Sequence, residues 1–248
     1  MTPPLTDVLD VAEGLVQQHL AAQRSDPGAI CTGIVDIHHG EAWDAAAAKA
    51  GGIIALIHKA SEGKDWRDPG FAANIARARA AGMSVGAYHF ASASAPGAAQ
   101  ADFFLSVTGT SLDVLRVLDI ESNPNVAAGS MDIANAAAFV ARVRAVTGRW
   151  PIFYSYPARI AELMHGASPA DIAMVANCKL WLAQYGDPPK HVPLPWGDWW
   201  MWQYSDYANG PSDHIRYPRD TPGFGRVDRS CFRGTTQELA AAWATAGS

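Results

Sequence analysis

From Ile30 onward, short runs rich in β-branched and aromatic residues alternate with alanine-rich stretches of helical spacing, and this alternation limits the folds open to the chain more than any other feature. Strands are predicted over Ile30–Asp36, Gly52–Lys59, Met83–Phe90 and Val114–Glu121, and helices over Asp44–Ala50, Pro69–Ala81, Pro96–Val107 and Met131–Thr147. Repeated β-α order favours a parallel sheet, either closed into a barrel or doubly wound. Later come four more strand-like segments, Pro151–Tyr154, Lys179–Tyr185, Trp199–Tyr204 and Arg226–Asp228, with fewer evident helices between them. Gly186–Gly197 and Asn209–Gly225 are rich in proline and glycine and read as rim loops. The stretch after the first strand, Asp36-Ile37-His38-His39-Gly40, lacks the glycine spacing of a phosphate loop, which removes support for nucleotide binding.

The 248 residues are enough for one sizeable core. Composition is that of an ordinary globular chain, and no apolar run is long enough to cross a bilayer. A formal charge of −5 supplies no basic field, so nucleic acid is not an expected partner. Cys31, Cys178 and Cys231 show no metal-binding or redox spacing and read as buried free thiols. Before the barrel-like region, Leu5, Val8, Leu9, Ala12, Leu15, Val16 and Leu20 recur at helical spacing; residues 1–28 are therefore read as a helical extension and 29–248 as the main domain. The first twenty residues lack the pattern of a secretory signal, which implies synthesis in the cytoplasm.

Two acids separated by one apolar residue, Asp119 and Glu121, close the apolar run Val117–Glu121. On a strand, residues i and i+2 share a face with Cα atoms roughly 6–7 Å apart. At the C-terminal end of a parallel barrel, such a pair suits glycosidic hydrolysis. On its own it also fits a strand-end salt bridge or a divalent-metal site.

Seven ordered pieces give the pair a context. They are Gly33-Ile34-Val35-Asp36, His58-Lys59-Ala60-Ser61-Glu62-Gly63, Gly86-Ala87-Tyr88-His89-Phe90, Leu118-Asp119-Ile120-Glu121, Leu180–Tyr185, Trp202-Gln203-Tyr204 and Val227-Asp228. With them the chain resembles the family 25 glycoside hydrolases, the Chalaropsis-type lysozymes also found among phage endolysins, from about Gly33 to Phe232. The resemblance implies a TIM-like (β/α)5(β)3 barrel and cleavage of the β-1,4 bond between N-acetylmuramic acid and N-acetylglucosamine. It further implies an acidic cluster of Asp36, Asp119, Glu121 and Asp228 and no cofactor. Glu121 is then the general acid and Asp119 assists attack by the substrate's own N-acetyl oxygen, while Asp36 and Asp228 set protonation and geometry; direct nucleophilic attack by Asp119, or water activation with inversion, stays open because the sequence does not give the carboxyl separation. Crowded carboxyls cannot all ionise cheaply, so at least one is expected to keep its proton near neutral pH.

Around these acids, Tyr88, Trp181, Glu62, Tyr154 and Gln203 are candidate substrate-binding residues, with Trp181 the expected stacking platform and the other C-terminal rings mostly core. Lys59 reads as structural. One departure stands out: many relatives carry Asp-Val-Ser and then a glutamine after the first strand, where this chain has His38 and His39; these histidines read as surface or second-layer groups rather than metal ligands. Peptidoglycan strands are the expected partner, met by a monomer at the cell wall after lysis or non-classical export. Three rivals remain: a non-catalytic glycan-binding barrel, a divalent-metal hydrolase using the same acids, and a chitinase-like enzyme, whose longer run of spaced aspartates is not seen here.

Overall fold

The computed structural model describes residues 28–123 and 127–248. The expected N-terminal helix lies outside them. Nine strands are present in the described residues: β1 (Ile30–Ile37), β2 (Ala55–Glu62), β3 (Trp66–Arg67), β4 (Ser84–Phe90), β5 (Val114–Asp119), β6 (Ile152–Ser155), β7 (Leu180–Ala183), β8 (Met201–Ser205) and β9 (Asp228–Arg233). Their order is β1-β9-β8-β7-β6-β5-β4-β2, and β1 also pairs with β2, so eight strands close a barrel while the two-residue β3 hangs from β2. The fold is the expected TIM-like barrel.

Every pairing around the ring from β1 through β2 to β8 is parallel, and β9 alone runs antiparallel to both neighbours. This corrects the predicted segment Arg226–Asp228, which would have ended at Asp228. The strand instead starts there, and its reversed direction brings its first residue to the C-terminal mouth of the other seven. A strand entering by a loop rather than a helical crossover is free to run that way.

Seven helices surround the barrel in the described residues: α1 (Ala45–Ala50), α2 (Phe71–Ala80), α3 (Gly97–Thr108), α4 (Ile133–Thr147), α5 (Pro157–Met164), α6 (Pro169–Val175) and α7 (Thr236–Thr245). Asp44 caps α1 by accepting from the Ala46 and Ala47 amides, at 2.8 and 3.0 Å. The last three helices were not among those predicted, although their start signals are in the sequence. Pro157 and Pro169 occupy first-turn positions, where the missing N–H costs nothing, and Thr235 with Glu238 forms a capping box.

Two apolar layers hold the structure together. The outer one packs strand faces against helices and includes Leu118, Phe104, Phe139, Phe153, Trp202 and Tyr204. The inner one fills the barrel with Ile34, Ala55, Ile57, Leu115, Val117, Ile152 and Met201, and α7 closes its lower end with Leu239 and Trp243. The Trp243 indole N–H donates to the Val85 carbonyl at 3.0 Å, which fixes α7 to β4. Cys31, Cys178 and Cys231 are buried and unbridged.

Candidate active site

The inward-facing positions that are apolar at the lower end become polar at the mouth. Alternation carries Ile34 to Asp36 on β1, Val117 to Asp119 on β5, Ile152 to Tyr154 on β6, and Met201 to Gln203 on β8. Register does the rest: Asp36 pairs with Asp228 across β1 and β9, and Asp119 with Tyr154, itself beside Trp181. Asp36, Tyr88, Asp119, Glu121, Tyr154, Trp181 and Asp228 line one cavity of about 100 Å³. All four sequence-predicted acids therefore meet. Glu121 does so from two residues beyond the end of β5, in a segment continued by the Ile120 amide donating to the Tyr154 carbonyl.

Gln203 organises the cluster. Its side-chain amide Nε2 donates to both Asp36 oxygens, at 3.0 and 3.1 Å, and to Asp228 Oδ2 at 3.3 Å. Its Oε1 accepts from the Tyr154 hydroxyl at 2.8 Å and from Tyr185 at 3.1 Å. Gln203 is wholly buried, with both ends of its side-chain amide engaged by these four side chains.

The electrostatics follow from this crowding. Burial first, and the Asp228 charge second, push Asp36 well above the usual carboxylate range, with the Gln203 bond opposing. Burial and Glu121 raise Asp119 well above it, while the Lys59 ammonium pulls it back. Asp228 is pushed up to about 7 by burial and then by Asp206 and Glu121. Burial also raises Glu121, against a hydrogen bond from Tyr154. One oxygen, Asp119 Oδ1, is buried without a hydrogen-bond partner among the described residues. Such an orphan acceptor is costly unless something supplies a donor.

The binding candidates separate into three roles. Tyr88 and Tyr154 line the cavity; the charges of Asp119 and Asp36 act on the Tyr88 phenol, and Tyr154 bonds Glu121. Trp181 is no open platform: its ring is 2% exposed, it packs edge-on against Tyr154, and its indole N–H donates to Ser230 Oγ at 2.9 Å, so it walls the cavity. Glu62 is paired with Lys59 at 2.6 Å and accepts from Asn123 at 3.3 Å; it lines a separate, larger groove of about 520 Å³ beside the mouth. In that groove stand His38, His39 and Trp66. Of the aromatic residues, Trp66 is 37% and Tyr185 42% exposed. Trp66 was missed because a lone tryptophan between Asp65 and Arg67 carries no periodic signal.

A divalent cation fits this donor set poorly. The Gln203 amide directs its hydrogens at the oxygens of Asp36 and Asp228 that a cation would need, and no group of three or more His, Cys, Asp or Glu side chains is placed to hold one among the described residues.

The profile of the family described as Glycosyl hydrolases family 25 matches residues 35–213. Lysozyme M1 of Streptomyces globisporus is 31% identical over 223 residues, covering 84% of this chain and 69% of that protein. The N,O-diacetylmuramidase of Chalaropsis sp is 34% identical over 186 residues, covering 68% and 86%. Among solved structures, the bacterial lysozyme from Streptomyces coelicolor superposes with a TM-score of 0.73 at 29% identity, over 89% of this chain and 99% of that one. A family GH25 lysozyme from Aspergillus fumigatus gives 0.70 at 29% identity, over 88% and 100%.

Proposed function

The chain belongs to Glycosyl hydrolases family 25, and from that membership we propose that its barrel mouth cleaves peptidoglycan as an N-acetylmuramidase, breaking the β-1,4 bond from N-acetylmuramic acid to N-acetylglucosamine. The observation that carries the proposal is the meeting of four carboxyls from three strands and one strand end in a single small cavity, all displaced toward the protonated form. Glu121 is the general acid: it gives its proton to the glycosidic oxygen as the bond to the leaving sugar breaks. Asp119 holds the 2-acetamido group. Its partnerless Oδ1 accepts the acetamido N–H, which turns the acetamido carbonyl oxygen toward the anomeric carbon. That oxygen attacks, an oxazolinium ring forms, and water activated by the now ionised Glu121 reopens it.

Asp36 and Asp228, tied together by Gln203, act on this pair through charge, and Tyr88 and Tyr154 line the cavity around it. The cavity takes the reacting centre alone, so the sugar rings extend beyond it. The place of action is the cell wall, and the chain works there as a monomer.

Mass spectrometry of peptidoglycan digests tests the reading. New reducing ends on muramic acid are expected from the wild-type chain, and at least about a hundredfold fewer from Glu121→Gln. New ends on glucosamine, or activity lost in chelator, contradict it. Proton NMR of the first-formed anomer tests the route, since attack by the acetamido group requires retention.

A further inference from the structure

The groove beside the mouth holds a constellation that the proposed chemistry leaves unused. His39 directs Nδ1 at Asp68 Oδ2, 3.0 Å away, and its backbone amide donates to the same oxygen at 3.1 Å. The Asp68 side chain is fully buried, and its other oxygen accepts from the Gly70 amide at 2.8 Å. A carboxylate accepts only, so it holds a proton on Nδ1 and, in the neutral ring, leaves the Nε2 lone pair as an acceptor. The His39 side chain is 47% exposed and lines the groove.

Trp66 stands next to it, with ring centroids 5.6 Å apart. One residue, Arg67, separates Trp66 from Asp68, so one short segment both presents the indole and anchors the histidine. That segment is reached through Gly63, whose φ of +54° and contact with Ser92 Oγ, 2.9 Å from where a Cβ would sit, leave little room for another residue. The Lys59 ammonium lies 4.9 Å from the Trp66 ring centroid and is bound to Glu62, which keeps the indole in place. Lys59 also reaches Asp119 electrostatically, so this groove and the acid cavity are neighbours.

We propose that the groove is a saccharide subsite of this chain, in which Trp66 stacks on the apolar face of an amino-sugar ring and His39, oriented by Asp68, accepts a hydrogen bond from a hydroxyl or amide N–H of that ring. The inference rests on the hydrolase reading, because it places the next part of the same glycan strand beside the acids. A groove of about 520 Å³ lies in the range of cavities that enclose drug-sized ligands. An aromatic face with fixed polar groups at its edge is what a pyranose, apolar on one side and hydroxylated at its rim, requires. His38 lines the same groove beside His39, so this stretch is a device for substrate choice.

The test uses the full chain and peptide-free glycan strands of alternating N-acetylglucosamine and N-acetylmuramic acid. Trp66→Ala and His39→Ala are each expected to raise KM about five- to twentyfold while kcat stays within about threefold, and Trp66→Phe and His39→Gln to recover part of the loss. In the Glu121→Gln background, the His39 ring resonances should shift when strands are added. Unchanged KM in both alanine variants, with wild-type cleavage intact, overturns the subsite and leaves the hydrolase standing. Wild-type chain that leaves the strands uncut overturns the hydrolase reading instead; the His39 resonances then decide the groove alone, and their failure to shift overturns it too.

Discussion

The two ends of this barrel are built from the same strands and the same inward-facing alternation, yet they do opposite things. At the lower end, Ile34, Val117, Ile152 and Met201 meet α7 and exclude water. One step up each strand, Asp36, Asp119 and Tyr154 crowd charge and a hydroxyl into about 100 Å³, with the buried Gln203 bonded to Asp36 and Tyr154. Buried apolar area stabilises the first by about 25 cal/mol per Å², while the second works against folding through desolvated, mutually repelling carboxyls. The apolar end offsets the cost of the acidic end, and the strands between them hold the acids where relaxation would otherwise separate them.

Changes at either end should therefore fail in different ways. Glu121→Gln keeps the shape of the mouth but removes the transferable proton; turnover is expected to fall by about 10²–10⁴-fold with the melting temperature nearly unchanged, measured by release of reducing sugar and by calorimetry. Trp243→Ala empties the lower end and frees the Val85 carbonyl. A loss of about 3–5 kcal/mol in denaturant unfolding is expected, with kcat preserved in the fraction that remains folded. Equal loss of activity and stability in both variants would erase the distinction between the ends.

Gln203→Leu probes the border. It leaves Asp36 and Asp228 without their shared donor, Tyr185 without its acceptor and Tyr154 with Glu121 as its remaining partner, at a cost of about 1–3 kcal/mol. Because the Gln203 bond holds Asp36 down, its removal should also move the pH–rate profile upward. The smallest effect is expected from Asp228→Asn. Asp228 titrates near 7 in the fold against 3.8 for an ordinary aspartate, so between those values the folded chain keeps a proton the unfolded chain has lost. That stability is fully present below the lower value and drains away as pH rises toward about 7. The wild-type chain should thus melt lower at pH 8 than at pH 5, and Asp228→Asn should flatten the slope by an amount on the order of 1 kcal/mol.

Much of this contrast was legible in the residues. The β-α alternation and the ordered pieces from Gly33 to Asp228 carried the barrel and all four acids, because strand period and chain order survive folding unchanged. What escaped depended on partners distant in sequence. Gln203 looked like one more pocket residue, and only the meeting of β1, β8 and β9 makes it the clamp on Asp36 and Asp228. Alternation put Trp181 on the correct face, but burial against Tyr154 and Ser230 removes it as a platform. The reversal of β9 was hidden as well, since a short strand carries no mark of direction. The helices α5, α6 and α7 were readable from Pro157, Pro169 and the Thr235–Glu238 box, and were passed over because their apolar patterns are short.

The central claim is that the mouth keeps a proton on Glu121 until a glycosidic oxygen takes it. Carbon-13 NMR of chain labelled at the glutamate side-chain carboxyls, titrated from pH 3 to pH 9 with Glu121→Gln for assignment, measures that proton directly. The Glu121 carboxyl is expected to titrate above the ordinary value of 4.5. A midpoint at or below that value would mean that the glutamate is already ionised at neutral pH, and the barrel mouth would have no acid to offer.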